Sequence, residues 1–227
     1  MRLPAAKESS GRVDIGSDQT LKVLLMGEST MAGVGVEFHK DGFAGSFARE
    51  LSSLSQSNVD WQVFAQSGFN LKQLIKHVLP KVPISDFDLI VIAMGANDAF
   101  QLNSPKTWRK NIEKLIDRCQ EKFPNTPIGF CNMPPIKLFP AFPATLRLTV
   151  GNLVELFGKE LIQICTEKNK VYFDSQTIDL NDWLHQLDGD QNTDSFFSDG
   201  IHPNKLTYKI WGEEFAKFVV QQIELKP

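Results

Sequence analysis

Phe87-Asp88-Leu89-Ile90-Val91-Ile92-Ala93-Met94 is a short apolar run ended by Gly95, and its reading decides the fold. The run has the length of a strand and is apolar at successive positions, so both faces of that strand are expected to be covered. Leu21-Lys22-Val23-Leu24-Leu25-Met26, ended by Gly27, reads the same way. Weaker strand candidates lie at residues 59–65, 127–132 and 170–174, which makes five.

Helical patterns fall between these runs. Ser104-Pro105 is a favourable N-cap and first-turn pair, followed by Trp108, Ile112, Leu115, Ile116, Cys119 and Phe123 at helical spacing. Val150, Leu153, Val154, Phe157, Leu161 and Ile164 mark a second helix face, and Trp211, Phe215, Phe218 and Val219 a last one after Pro203-Asn204. Residues 42–55 and 71–78 supply two shorter helices. Strands alternating with helices over short connections predict right-handed βαβ units and a parallel sheet with helices on both faces. The expectation is a three-layer α/β/α sandwich around a five-stranded parallel sheet, flavodoxin-like. Residues 1–20 are polar and aperiodic and read as a loose leader, with one domain over residues 21–227.

Composition narrows the function. With 227 residues, 42% apolar and 22% charged, the chain can bury one sizeable core. Lys and Arg number 24 against 27 Asp and Glu, a net charge of -3, and no basic run is long enough for a phosphate-binding stripe, so nucleic acid is not an expected partner. Cys119, Cys131 and Cys165 form no C-x-x-C pair and are expected to be reduced, buried thiols. The first ten residues carry no apolar signal region, and no segment approaches the roughly 18 uninterrupted apolar residues of a membrane span. The expected setting is the cytoplasm.

In parallel sheets of this kind the chemistry lies beyond the carboxyl ends of the strands. Past the first strand, Gly27-Glu28-Ser29-Thr30-Met31-Ala32-Gly33 puts a serine hydroxyl at the mouth of the sheet. A serine there is by itself more often a cap or turn residue. The nucleophile elbow G-x-S-x-G is not met, because Met31 takes the final glycine position, which disfavours an ordinary α/β-hydrolase. Gly33 and Gly35 belong to neither a P-loop nor a G-x-G-x-x-G motif. Past the next strand, Gln66-Ser67-Gly68-Phe69-Asn70 offers a glycine whose backbone N–H can face a ligand closely, and past the strongest strand Gly95-Ala96-Asn97-Asp98 offers a side-chain amide. Near the end, Asp199-Gly200-Ile201-His202-Pro203-Asn204 sets a carboxylate three residues before an imidazole, directly ahead of a helix. A carboxylate so placed can hold one ring nitrogen and leave the other to take a proton from a hydroxyl. His39, His77 and His185 read as loop or helix-surface residues.

In this order, the Ser29, Gly68, Gly95-Ala96-Asn97-Asp98 and Asp199-x-x-His202 segments resemble the SGNH hydrolase family of GDSL-type esterases, over roughly residues 21–222. The resemblance implies Ser29 as nucleophile, His202 as general base and Asp199 as its orienting acid. It also implies an oxyanion hole made by the backbone N–H groups of Ser29 and Gly68 and the Asn97 side chain, with no metal or cofactor. Two departures stand out: Glu28 where the family commonly has Asp, so that the bonds of the shorter carboxylate must be remade or lost, and a Gly68 segment only loosely like its counterpart. Met133-Pro134-Pro135-Ile136-Lys137-Leu138-Phe139-Pro140-Ala141-Phe142-Pro143-Ala144 follows the fourth strand and is similar to a Pro-rich stretch of esterase-like members. If Phe139 and Phe142 line the site, an apolar wall favours a small-molecule ester with a hydrophobic part, as in a carboxylesterase or lysophospholipase-like enzyme. The alternatives are a carbohydrate acetylesterase on the same scaffold and a binding domain that has lost turnover, for which Glu28 is the only hint.

Overall fold

The computed structural model describes residues 3–139, 141–184 and 193–225. Six strands form one sheet: β1 (Ser10–Val13), β2 (Thr20–Gly27), β3 (Asn58–Ala65), β4 (Leu89–Ala93), β5 (Ile128–Phe130) and β6 (Val171–Phe173), in the order β1-β3-β2-β4-β5-β6. The five strands expected from sequence are all present and pair in parallel, with Leu25 opposite Val63 on one side and Val91 on the other.

The sixth strand corrects the expectation of a loose leader. Residues 10–13 pair antiparallel with β3, Arg12 opposite Asp60, and the Arg12 guanidinium reaches that carboxylate at 3.0 Å. Ser-Gly-Arg-Val has one apolar side chain and sits half-exposed at the sheet edge, so its strand character comes from backbone pairing with β3 and carries no periodic signal. His39 is a second correction. It is buried, 4% exposed, in a short turn, where its N–H donates to Lys7 O and its ring lies 6.4 Å from the ring of Trp61. Burial pushes its imidazole down to about 4. His77 is exposed as expected, and His185 lies outside the described residues.

Strand alternation splits the core in two. Leu24, Met26, Ile90 and Ile92 face one layer, where Trp108, Ile112 and Ile116 of α4 (Pro105–Lys122) and Val154, Phe157 and Leu161 of α5 (Ala144–Glu167) pack. Val23, Leu25, Leu89 and Val91 face the other, with Phe43 and Phe47 of α1 (Phe43–Ser55) and Trp211, Phe215 and Val219 of α7 (Lys205–Gln222). This is the three-layer α/β/α sandwich. Ser104 starts α4 by accepting from Thr107 N at 3.2 Å, and Asn204 starts α7 by accepting from Thr207 N at 3.1 Å. Two further short helices, α2 (Leu71–Gln73, continuing as a π-turn over Leu74–Val78) and α3 (Ala96–Phe100), begin just past β3 and β4, and α6 (Leu180–Leu184) follows β6. Among the described residues no helix is long and apolar enough to cross a membrane.

Candidate active site

The turns past β2, β3 and β4 meet at one end of the sheet, and hydrogen bonds between them set their relative positions. The turn past β2 closes on itself, Ala32 N donating to Glu28 O at 2.8 Å and Val34 N to Ser29 O at 3.1 Å. The turn past β3 carries Gly68 at φ 83°, a left-handed conformation in which a Cβ would meet nothing within 4 Å; backbone angle, not crowding, is what requires glycine there. Asn70 then caps α2 in a reciprocal capping box with Gln73. Past β4, Asn97 lies in the first turn of α3.

Glu28 joins the first turn to the third. Its Oε1 accepts from Ala96 N and its Oε2 from Asn97 N, each at 2.9 Å, so both carboxylate oxygens of Glu28 are bonded to the backbone of the third turn. The second turn is tied to the third by Asn97 Nδ2 donating to Phe69 O at 3.1 Å, by Leu71 N donating to Asp98 Oδ2 at 2.8 Å, and by Asn70 Nδ2 donating to Gln101 Oε1 at 2.6 Å. Asp98 itself is fully buried. The Asn97 amide is therefore held on both its backbone and side-chain nitrogens.

Burial pushes the Glu28 carboxyl up to about 7, against the backbone N–H groups of Asn97, Ala96 and Gly95 that favour its charge, and neighbouring Asp98 adds to the rise. The sign of the stability effect follows. A carboxyl raised in the folded state stabilises fully below its ordinary value near 4.5 and loses that contribution as pH rises through about 7. The span is worth about 3 kcal/mol. Urea unfolding of the wild type is expected to show this fall between those pH values, and Glu28→Gln, which cannot titrate, should flatten it. An unchanged slope in the variant would place the titration elsewhere.

His202 stands ahead of α7 with its Nδ1 at 2.9 Å from Asp199 Oδ2, while Asp199 Oδ1 accepts from His202 N at 2.8 Å and Ile201 N at 3.1 Å. The carboxylate thus grips both the ring and the backbone of the histidine. Partial burial raises the Asp199 carboxyl, but these N–H groups and the imidazole together more than reverse that and hold it below its ordinary value.

Ser29, Gly68, Asn97, Asp199, His202, Phe139 and Phe142 all line one cavity of about 400 Å³. Within it the Asp199–His202 pair is formed, whereas Ser29 Oγ has no hydrogen-bond partner among the described residues. The backbone N–H groups of Ser29 and Gly68 likewise have no acceptor among them. One wall is aromatic: Phe142 lies 5.9 Å from Phe139 and 5.2 Å from Phe100, ring centre to ring centre.

Residues 25–210 match the family described as GDSL-like Lipase/Acylhydrolase. The chain belongs to the GDSL-like lipase/acylhydrolase family. Similar solved structures include a candidate GDSL-like lipase from Parabacteroides merdae ATCC 43184, at 16% identity and TM-score 0.68, covering 90% of this chain and 98% of that one. A lipase/acylhydrolase from Enterococcus faecalis is 24% identical, with TM-score 0.58, over 91% of this chain and 99% of the other. A family 3 carbohydrate esterase from Clostridium thermocellum is 17% identical, with TM-score 0.64, over 89% and 96%. At these identities the likeness shows the fold. No curated protein matches the chain in sequence.

Several features of this GDSL-like site carry no local sequence signal. Trp211 reads as a core position of the last helix, yet it lines the cavity and donates from Nε1 to Asn132 Oδ1 at 3.1 Å. Phe100 at the end of α3, Ile201 beside His202 and Leu3 of the N-terminal segment also line it. The bracing role of Asp98 shows only once Leu71 is seen beside it.

Proposed function

We propose that this chain is a serine esterase that cleaves carboxylic esters through an acyl-enzyme. The observation that carries the reading is a single cavity holding an uncommitted serine hydroxyl, an Asp199–His202 pair, two backbone N–H groups without an acceptor among the described residues and the second proton of Asn97 Nδ2. With Asp199 on Nδ1, the neutral imidazole keeps its proton there and offers Nε2 as the base. Ser29 Oγ attacks the ester carbonyl carbon as its proton passes to His202 Nε2. The carbonyl oxygen becomes an oxyanion, met by Ser29 N–H, Gly68 N–H and the second proton of Asn97 Nδ2. The proton then moves from His202 to the departing alkoxide, and water repeats the sequence to release the acid. A Ser–His contact that is open without substrate and closes with it is common in such sites. Donors aimed at developing charge are typically worth about 10²–10³ in rate each.

The aromatic wall of Phe100, Phe139 and Phe142 favours an ester with a hydrophobic acyl or alcohol part, as in a carboxylesterase or lysophospholipase-like enzyme. Structural neighbours include lipases and a carbohydrate esterase, so acetylated sugar is the second reading. The three free cysteines, two of them buried, suit a reducing compartment such as the cytoplasm. The direct test is treatment with a small alkyl fluorophosphonate followed by peptide mass spectrometry. Labelling of Ser29 is expected, together with turnover of nitrophenyl esters in preference to acetylated xylan. A protein that neither labels nor turns over any ester is not a serine esterase.

A further inference from the structure

We infer that Leu3, at the head of an N-terminal segment anchored along the loop after Ser29, is a wall of the substrate cavity and limits the length of chain the site accepts. The inference rests on the serine esterase reading above and adds a specificity element contributed from outside the four motif segments.

The segment is bound along the loop that follows Ser29. Ala6 N donates to Ala32 O at 2.9 Å, Lys7 N to Glu37 O at 2.9 Å, and His39 N to Lys7 O at 3.0 Å. Lys7 forms a parallel bridge with Phe38, and its ammonium meets Glu37 at 3.0 Å. That ion pair is exposed and adds little; the backbone bonds set the course of the segment. The approach is close enough to constrain the loop itself. Gly33 has φ 68°, and a Cβ there would come within 2.6 Å of the Ala6 Cβ. A side chain at Gly33 would push the segment off.

Three residues before Ala6, Leu3 lines the same cavity as Ser29, Thr30 and His202. A solvent-facing leucine is ordinary by itself. This one is 36% exposed, and it shares the cavity with the aromatic wall of Phe100, Phe139 and Phe142. Apolar surface then comes from three separate parts of the chain, the anchored segment, the end of α3 and the loop past β5. A hydrophobic chain placed in that cavity is bounded by Leu3, whose position is held by the backbone bonds at Ala6 and Lys7. Enlarging the side chain shortens the space and truncating it lengthens the space.

The experiment compares wild type, Leu3→Ala and Leu3→Trp on p-nitrophenyl acetate, butyrate, octanoate and dodecanoate. Enzyme concentrations are normalised by fluorophosphonate titration, and each kcat/KM is taken relative to acetate so that a general loss cancels. Leu3→Trp should lower the octanoate and dodecanoate ratios by about three- to tenfold, and Leu3→Ala should raise the dodecanoate ratio by a similar factor, at or below the roughly tenfold that one methylene is worth in an enclosed apolar pocket because Leu3 is a partly exposed wall. Ratios unchanged in both variants, in a protein that labels and turns over esters, overturn the role of Leu3 and leave the esterase reading standing. A wild type that neither labels nor hydrolyses removes the esterase reading, and this inference with it.

Discussion

Ser29→Ala is expected to lower ester hydrolysis by about 10⁴–10⁶ while leaving the protein folded, because nucleophile and base act as a unit and neither retains value without the other. The side chain is half-buried and its Oγ has no partner among the described residues, so its removal orphans no donor or acceptor. The change in stability should stay within about 0.5 kcal/mol, as for substitutions that break no named interaction. His202→Ala should be about as damaging. The measurements are steady-state kinetics on the best nitrophenyl ester and thermal unfolding by circular dichroism. A Ser29→Ala protein that keeps a tenth of wild-type activity would sink the assignment of the nucleophile.

Asp199→Asn should lower kcat/KM by about 10³–10⁴, a smaller loss than for His202→Ala, because the base is still present but has lost the group that orients it and steadies its charged form. Asn keeps a carbonyl oxygen able to accept from Ile201 N and His202 N, bonds that Asp199 Oδ1 makes now at 3.1 and 2.8 Å, so the loop should hold its course. The split between kcat and KM separates an orienting role from a structural one. The loss should fall on kcat with KM little moved, while thermal unfolding stays as in the wild type. Should the rate stay unchanged while Asp194 or Glu28 substitutions lower it, the acidic partner lies elsewhere.

The α/β/α layers were legible because their signals are local. An apolar run such as residues 87–94, of strand length and ended by Gly95, suits a strand covered on both faces, and Ser104-Pro105 and Pro203-Asn204 mark helix starts by chemistry that acts within one turn. The four segments bearing Ser29, Gly68, Asn97 and Asp199–His202 stood out for a related reason. Each follows a strand or precedes a helix, where parallel sheets gather their chemistry, and their order resembles a known family.

What sequence alone determined is the alternation of elements, the parallel sheet and the places along the chain where reactive groups emerge. Tertiary structure decided the edge strand β1, the burial of His39, the bridge from Glu28 to the Asn97 turn and the entry of Leu3 and Trp211 into the cavity. The physical reason is range. A cap, a periodic stripe or a turn glycine acts across a few residues, whereas each of these features joins residues distant in the chain. Glu28 meets the N–H of Asn97 because β2 and β4 are hydrogen-bonded neighbours, and Ala6 meets Ala32 because the N-terminal segment lies along the turn that leaves β2. Only the assembled fold supplies those adjacencies.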